Sequence, residues 1–185
     1  MRLQRIKEQF DGRITLQWHP FALRPQYNPA PFQFSGSYAE GAWQRAAALA
    51  KPDGITYHMW DQEDFPRWSM PALEAGAAAQ RQGEEAFHRF HSALFQAFFT
   101  GGKNIMEKEM LVAVAREASL DVSSFVRDID DPTLQQEVRK RCQEAVNTYG
   151  VSAVPTVIIG RKRRLVGAVP AEDYLKALEA YGLHA

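Results

Sequence analysis

The hydrophobic rhythm of this chain changes partway along and then changes back, and that most constrains its fold. Residues 38–50, 71–82, 84–99, 107–118 and 132–149 place apolar side chains three and four apart with little β-branching, which is the spacing of amphipathic helices. A short helix over 123–129 precedes the last of these. Ahead of the block, Ile14, Leu16 and Trp18 alternate with Thr15, Gln17 and His19, the period of a half-buried strand. Behind it, 154–159 is a β-rich run, 160–164 a polar turn and 165–169 a second run, a hairpin by pattern. Helices are expected at both ends. Leu3, Ile6 and Phe10 define one over 2–10, stopped by Asp11-Gly12; Pro170 opens another over 171–181, closed by Gly182. One strand before the helices and two after them imply a single α/β sheet with a large helical insertion. The division expected is a core of 1–37 and 150–185 around an insertion of 38–149. Residues 24–37, rich in Pro, Asn, Ser and Gly, read as loop. Asn104 is the expected N-cap ahead of 107–118, and Asp131-Pro132 supplies a cap and an N1 proline for 132–149.

Chemistry is bounded by a single cysteine, Cys142, in 185 residues. Within this sequence there is no disulfide, no Cys-x-x-Cys redox pair and no multi-cysteine zinc site, and a reducing, cytoplasmic setting is expected. Leu134, Val138, Cys142, Ala145, Val146 and Tyr149 share one helical face, so Cys142 is expected as a small buried hydrophobe. Lys+Arg and Asp+Glu both count 22, which removes a whole-molecule electrostatic case for nucleic acid or an anionic membrane. No apolar run is long enough to span a bilayer, and the first twelve residues lack the apolar core of a secretory signal.

Other clusters read as structure. His88 and His91 stand three apart among Phe87, Phe90, Leu94, Phe95 and Phe98, with no third metal ligand, so they are expected at a core edge. Residues 161–164 (Arg-Lys-Arg-Arg) are expected as a solvated turn. Trp43, Trp60 and Trp68 with Phe65 are expected to fill core rather than line a groove. Asp61, Glu63 and Asp64 lack a partner cluster that would make them a metal or acid–base site.

Residues 149–160, Tyr-Gly-Val-Ser-Ala-Val-Pro-Thr-Val-Ile-Ile-Gly, resemble the cis-proline loop of the thioredoxin superfamily, in which Val-Pro-Thr leads into a hairpin strand. Residues 16–25 (Leu-Gln-Trp-His-Pro-Phe-Ala-Leu-Arg-Pro) are similar to the second strand and exit loop of DsbA-like proteins of the FrnE type. Residues 94–105 and 110–121 are similar to the helical insertion of those proteins. The resemblance spans essentially the whole chain and implies a thioredoxin-like sheet with a large helical insertion. It also implies a cis Val154–Pro155 bond, with Val154, Pro155 and Thr156 as substrate-binding residues. Val154 would offer its backbone to an extended peptide or to glutathione.

The chain departs from the family at its front. Where the family has a strand, a Cys-Pro-Trp-Cys-like loop and a basic helix, this sequence begins inside the helix, so the first strand is missing from the expected sheet. No catalytic residue, metal ligand or cofactor is carried over. The leading expectation is a member of the thiol-disulfide oxidoreductase family that is redox-inactive as written. The alternatives are a kappa-class glutathione transferase or 2-hydroxychromene-2-carboxylate isomerase-like protein, whose serine would occupy the same missing loop, and a non-enzymatic peptide-binding module. A missing central strand leaves backbone groups unpaired at about 1–3 kcal/mol each, against a total stability of roughly 5–15 kcal/mol. Three outcomes are expected, in this order: a longer native chain, direct pairing of 14–19 with 156–159, or a strand donated by another chain.

Overall fold

The computed structural model describes residues 2–184; Met1, from which the resemblance has the chain begin inside the family's basic helix, and Ala185 lie outside them. The chain forms two compact units, Met1–His19 with Gln143–Ala185, and Pro20–Cys142. Segment 20–37 thus belongs with the helices, whereas the sequence division put it with the core.

In the first unit, helix α1 (Arg2–Gln9) lies against helix α8 (Ala171–Glu179). Ile6, Phe10, Tyr174 and Leu178 form the buried centre, with Ile14, Val157, Ile159, Leu165 and Val169 packed around it. Strands β1 (Thr156–Ile159) and β2 (Arg163–Val166) pair antiparallel from Thr156 opposite Val166 to Ile159 opposite Arg163. Gly160 and Arg161 both take positive φ, 56° and 61°, the twist a tight hairpin needs. The second strand therefore starts at Arg163, inside the stretch read as turn, and stops before Gly167, whose φ is 89°.

The strand expected over 14–19 does not form. The sheet has two strands among the described residues, and residues 15–20 take no regular structure. Burial still alternates there: Ile14, Leu16 and Trp18 are partly buried, Thr15, Gln17 and His19 exposed. The pattern sets which face turns inward, but a strand also needs a neighbour to bond, and none of the described residues supplies one. Direct pairing of this segment with β1 is likewise not observed.

The second unit contains helices α2 (Tyr38–Ala50), α3 (Met70–Arg81), α4 (Glu84–Phe95), α5 (Lys108–Glu117), α6 (Val122–Ile129) and the greater part of α7 (Pro132–Asn147). Three of its helix starts carry a side-chain cap, of which only that of Asp131 was expected from the sequence, and α3, α4 and α5 carry none. Ser37 Oγ accepts from the Ala39 and Glu40 N–H groups, Asp121 Oδ1 from Ser123 and Ser124, and Asp131 Oδ1 from Thr133. Asn104, the expected cap of α5, instead accepts from the Met106 N–H at 3.0 Å in a turn ahead of the helix, and α5 has no side-chain cap. The helix expected over 84–99 stops at Phe95 and continues as a π-helical turn, Gln96–Thr100. Helix α3 packs on α4, α5 and α6 through the fully buried Ala75, Ala78 and Ala79, which let backbones approach closely. Phe34, Trp43, Trp60 and Phe65 form an aromatic core with Phe98 and Phe99 against it, so the core reading holds for Trp43, Trp60 and Phe65, whereas Trp68 is only partly buried outside that core, where its Nε1 donates to the Pro25 carbonyl. On α7, Leu134, Val138 and Ala145 are buried, but Val146 is 49% exposed and does not belong to the apolar face assigned to it.

Candidate functional site

The loop between α7 and β1 is the site the sequence singled out, and several contacts set its shape. Gly150 turns the chain out of α7 with φ 58°, and the Val151 N–H donates back to the Ala145 carbonyl at 2.9 Å. From β2, the Arg164 guanidinium donates to the carbonyls of Gly150, at 3.0 Å, and Tyr149. Downstream, Thr156 Oγ1 donates to the Ala153 carbonyl at 2.6 Å, and the Gly167 N–H donates to the Pro155 carbonyl at 2.8 Å. The Tyr149 ring meets His19 edge-on at 5.7 Å between centroids.

Between these anchors the Val154–Pro155 peptide is cis. Val154 is 43% exposed, and its N–H and C=O make no hydrogen bond among the described residues. Of the three residues named from the resemblance, Thr156 is therefore used to brace the loop, Pro155 uses its carbonyl for the same purpose, and Val154 keeps both backbone groups available. Arg164 was missed as part of this arrangement. In the sequence it is one of four basic residues in a presumed turn, and nothing local marks the one that reaches back across the hairpin.

The other candidates lie elsewhere. Cys142 is partly buried in the interior of α7. Burial pushes its thiol pKa up, partly offset by a hydrogen bond from the Ala22 backbone. His91 lies between Phe87 and Phe95, at 5.3 and 4.6 Å between ring centroids, and burial pulls its pKa down to about 4. His88 instead faces Glu84 at 3.3 Å. The pair is a core edge, as expected. Asp61 meets His58 at 3.3 Å. A shallow pocket lined by Gln62, Asp64, Asn104 and Glu107 has polar groups that bond internally, Gln62 to the Gly102 carbonyl and Asn104 to Glu107. Among the described residues no three His, Cys, Asp or Glu side chains are arranged to hold a metal ion.

Comparison with known proteins adds to this geometry. The family model described as a DSBA-like thioredoxin domain matches residues 1–179. The uncharacterised protein YwbO of Bacillus subtilis (strain 168) is 28% identical over 175 residues, 94% of this chain and 86% of that protein. The ClpXP adapter protein SpxH of Shouchella clausii (strain KSM-K16) is 31% identical over 108 residues, 55% of this chain but only 36% of that protein. The crystal structure of a probable DsbA oxidoreductase, SCO1869 from Streptomyces coelicolor, superimposes with a TM-score of 0.80 at 22% identity, covering 100% of this chain and 83% of that one. At that identity the likeness speaks to the fold.

Proposed function

We infer the function of this chain from one premise: it belongs to the DSBA-like thioredoxin domain family. It is a member of the DsbA-like thiol-disulfide oxidoreductases, and the matches favour that family over the glutathione-transferase and isomerase alternative. Beyond membership, our reading is that residues 1–185 as written perform no disulfide exchange and present the 151–156 loop to an extended peptide.

One observation carries the first half: a single cysteine in the wrong place. Exchange requires a thiolate to attack a disulfide sulfur and a second thiol to resolve the mixed disulfide. The attacking thiol is activated by a helix N-terminus or a nearby cation. Cys142 has no second thiol, sits in a helix interior, and is made less acidic by burial. It supplies neither role.

The second half rests on Val154. An exposed residue with an unused donor and acceptor, held between braced neighbours, suits short β-pairing with a peptide backbone. Glutathione, itself a short peptide, competes for the same two groups. The name of the SpxH relative, an adapter, supports binding to another protein as a use of this scaffold. A cytoplasmic setting fits a chain with one thiol; among the described residues no helix is long and apolar enough to cross a membrane.

Two measurements test this. In a dithiol-dependent insulin reduction assay the 185-residue chain should stay at background, and turnover above it overturns the redox-inactive reading. Hydrogen–deuterium exchange with extended peptides and with glutathione should slow at 151–158. Unchanged exchange with every ligand removes the binding reading.

A further inference from the structure

A strand offers hydrogen bonds on two sides, and β2 uses one of them. The Gly167 N–H donates to the Pro155 carbonyl at 2.8 Å, which sets the phase of the ladder. Val157 opposite Leu165 and Ile159 opposite Arg163 are then the hydrogen-bonded pairs, since such pairs alternate along an antiparallel ladder. The N–H and C=O groups of Arg164 and Val166 therefore point away from β1. Among the described residues they make no hydrogen bond. This is the opposite edge from that of Thr156 and Ile158, into which the Val154 loop leads.

That edge is accessible. Arg163, Arg164 and Val166 are exposed, Val166 by 52%. Proteins commonly blunt an open edge with a proline, a bulge or a covering element. β2 contains no proline, and its register against β1 runs without a bulge from Arg163 to Val166. Charge decides what can pair there. Arg161, Lys162 and Arg163 are exposed and meet no carboxylate among the described residues. Arg164 spends its guanidinium on the Gly150 and Tyr149 carbonyls, so only its backbone is open to a neighbour. A second copy pairing along β2 would add a further set of these cations to a ladder of four residues, and like charges on adjacent strands repel. An acidic chain neutralises them instead.

We propose that the outer edge of β2 takes up an extended acidic segment of another protein as a third, antiparallel strand. Arg164 and Val166 each supply one donor and one acceptor to its backbone. An apolar residue of the segment lies opposite Val166, and carboxylates lie opposite Arg163 and onward to Arg161 and Lys162. In the antiparallel sense the segment therefore runs from its apolar end to its acidic end. A two-stranded ladder is marginal by itself, and a third strand gives it the width of a stable sheet. This edge is distinct from the 151–156 loop and does not depend on the reading given to that loop.

The test titrates a capped peptide, Thr-Val-Thr-Val-Glu-Asp-Glu, into the full chain by calorimetry, with a counterpart in which the three acidic residues are lysines. Amide exchange is followed by NMR in parallel. Saturable binding of the acidic peptide alone is expected, with exchange slowed at the Arg164 and Val166 amides. Val166→Pro removes an outward donor without breaking a bond to β1, and Arg163→Glu reverses a facing charge; each should weaken binding by about tenfold or more. Absence of saturation, equal binding of the lysine peptide, or undiminished binding to Val166→Pro overturns the proposal. Slowing at Val154 and Thr156 in place of Arg164 and Val166 also overturns it, while leaving the loop reading intact. So does concentration-dependent slowing at Arg164 and Val166 without peptide, which would make a second copy the occupant, or displacement of the peptide by single-stranded DNA. Should the variants fail to fold, the unmodified chain decides: a peptide N-methylated at the amides that face β2 must lose binding, and undiminished binding overturns strand addition.

Discussion

The helical unit and the hairpin unit satisfy their polar groups differently. In Pro20–Cys142, helix starts are closed by Ser37, Asp121 and Asp131, Arg81 gathers two carboxylates, and Gln82 exchanges side-chain hydrogen bonds with both backbone groups of Asp121. Around β1 and β2 the ladder is two strands wide among the described residues, segment 14–19 forms no strand of it, and there the Val154 N–H and C=O make no hydrogen bond. Helices satisfy their backbone internally, strands only through a neighbour. A helical block can therefore be complete in itself where a sheet fragment is not.

Five experiments sharpen or break this contrast. The largest effect is expected at Phe90, fully buried against Phe125. Phe90→Ala should cost about 3–5 kcal/mol in denaturant unfolding, as large-to-small core changes do, whereas Ile158→Ala, in a strand only partly buried, should cost less than half as much. Equal costs would erase the contrast.

Next comes His91. Its folded pKa is about 4, below the ordinary 6.5, so the fold holds it neutral. The folded state then binds fewer protons than the unfolded chain between those values. Its contribution is complete above pH 6.5 and is lost as pH falls toward 4, by roughly 3 kcal/mol at most. His91→Phe should flatten the acid limb of a melting-temperature profile; an unchanged limb refutes the assignment.

Glu74 has the opposite sign. It is 7% exposed, its Oε1 has no partner, and burial raises its pKa although the charge of Arg139 works against that shift. The folded state holds its proton more tightly, so its contribution is present at low pH and is lost as pH rises through and above the ordinary carboxylate range. Glu74→Gln should raise the melting temperature at neutral pH and not at acid pH. A uniform change at both would mean the effect is one of shape.

The smallest effect is at Ser37, whose replacement by alanine should cost about 1 kcal/mol through the lost cap. In hydrogen exchange, the β1–β2 amides should also open more readily than those of α3.

These differences also explain which features could be read from the sequence. Helix positions came from side-chain spacing, which is local, and so α2, α3 and α5 to α7 lie within about two residues of expectation. The alternation over 14–19 correctly told the inward face from the outward one. It carried no information on whether a neighbouring strand exists, since ladder partners are distant in sequence. Asn104 has the right residue type for a cap, but the turn it closes lies one step too early. Val146 fits the helical period of its face, yet near the end of α7 that period no longer meets anything to pack on. Val154 to Thr156 were picked out as substrate-binding candidates only through a resemblance in sequence. Arg164 was not singled out, because its role depends on what it reaches across the hairpin.

The π-helical turn at Gln96–Thr100 bears on how this protein tolerates changes in length. The widened turn, closed by the Gly101 N–H on the Gln96 carbonyl, lets the adjacent residues Phe98 and Phe99 both lie against Trp43, at 4.9 and 5.0 Å between ring centroids. Consecutive side chains of an ordinary α-helix diverge by about 100° and cannot share a partner so easily. Removing one residue here would restore a regular coil and swing one phenylalanine away from the indole. This short stretch is accordingly where a single-codon deletion should be least forgiven, although it lies on the margin of a helix where indels are otherwise cheap.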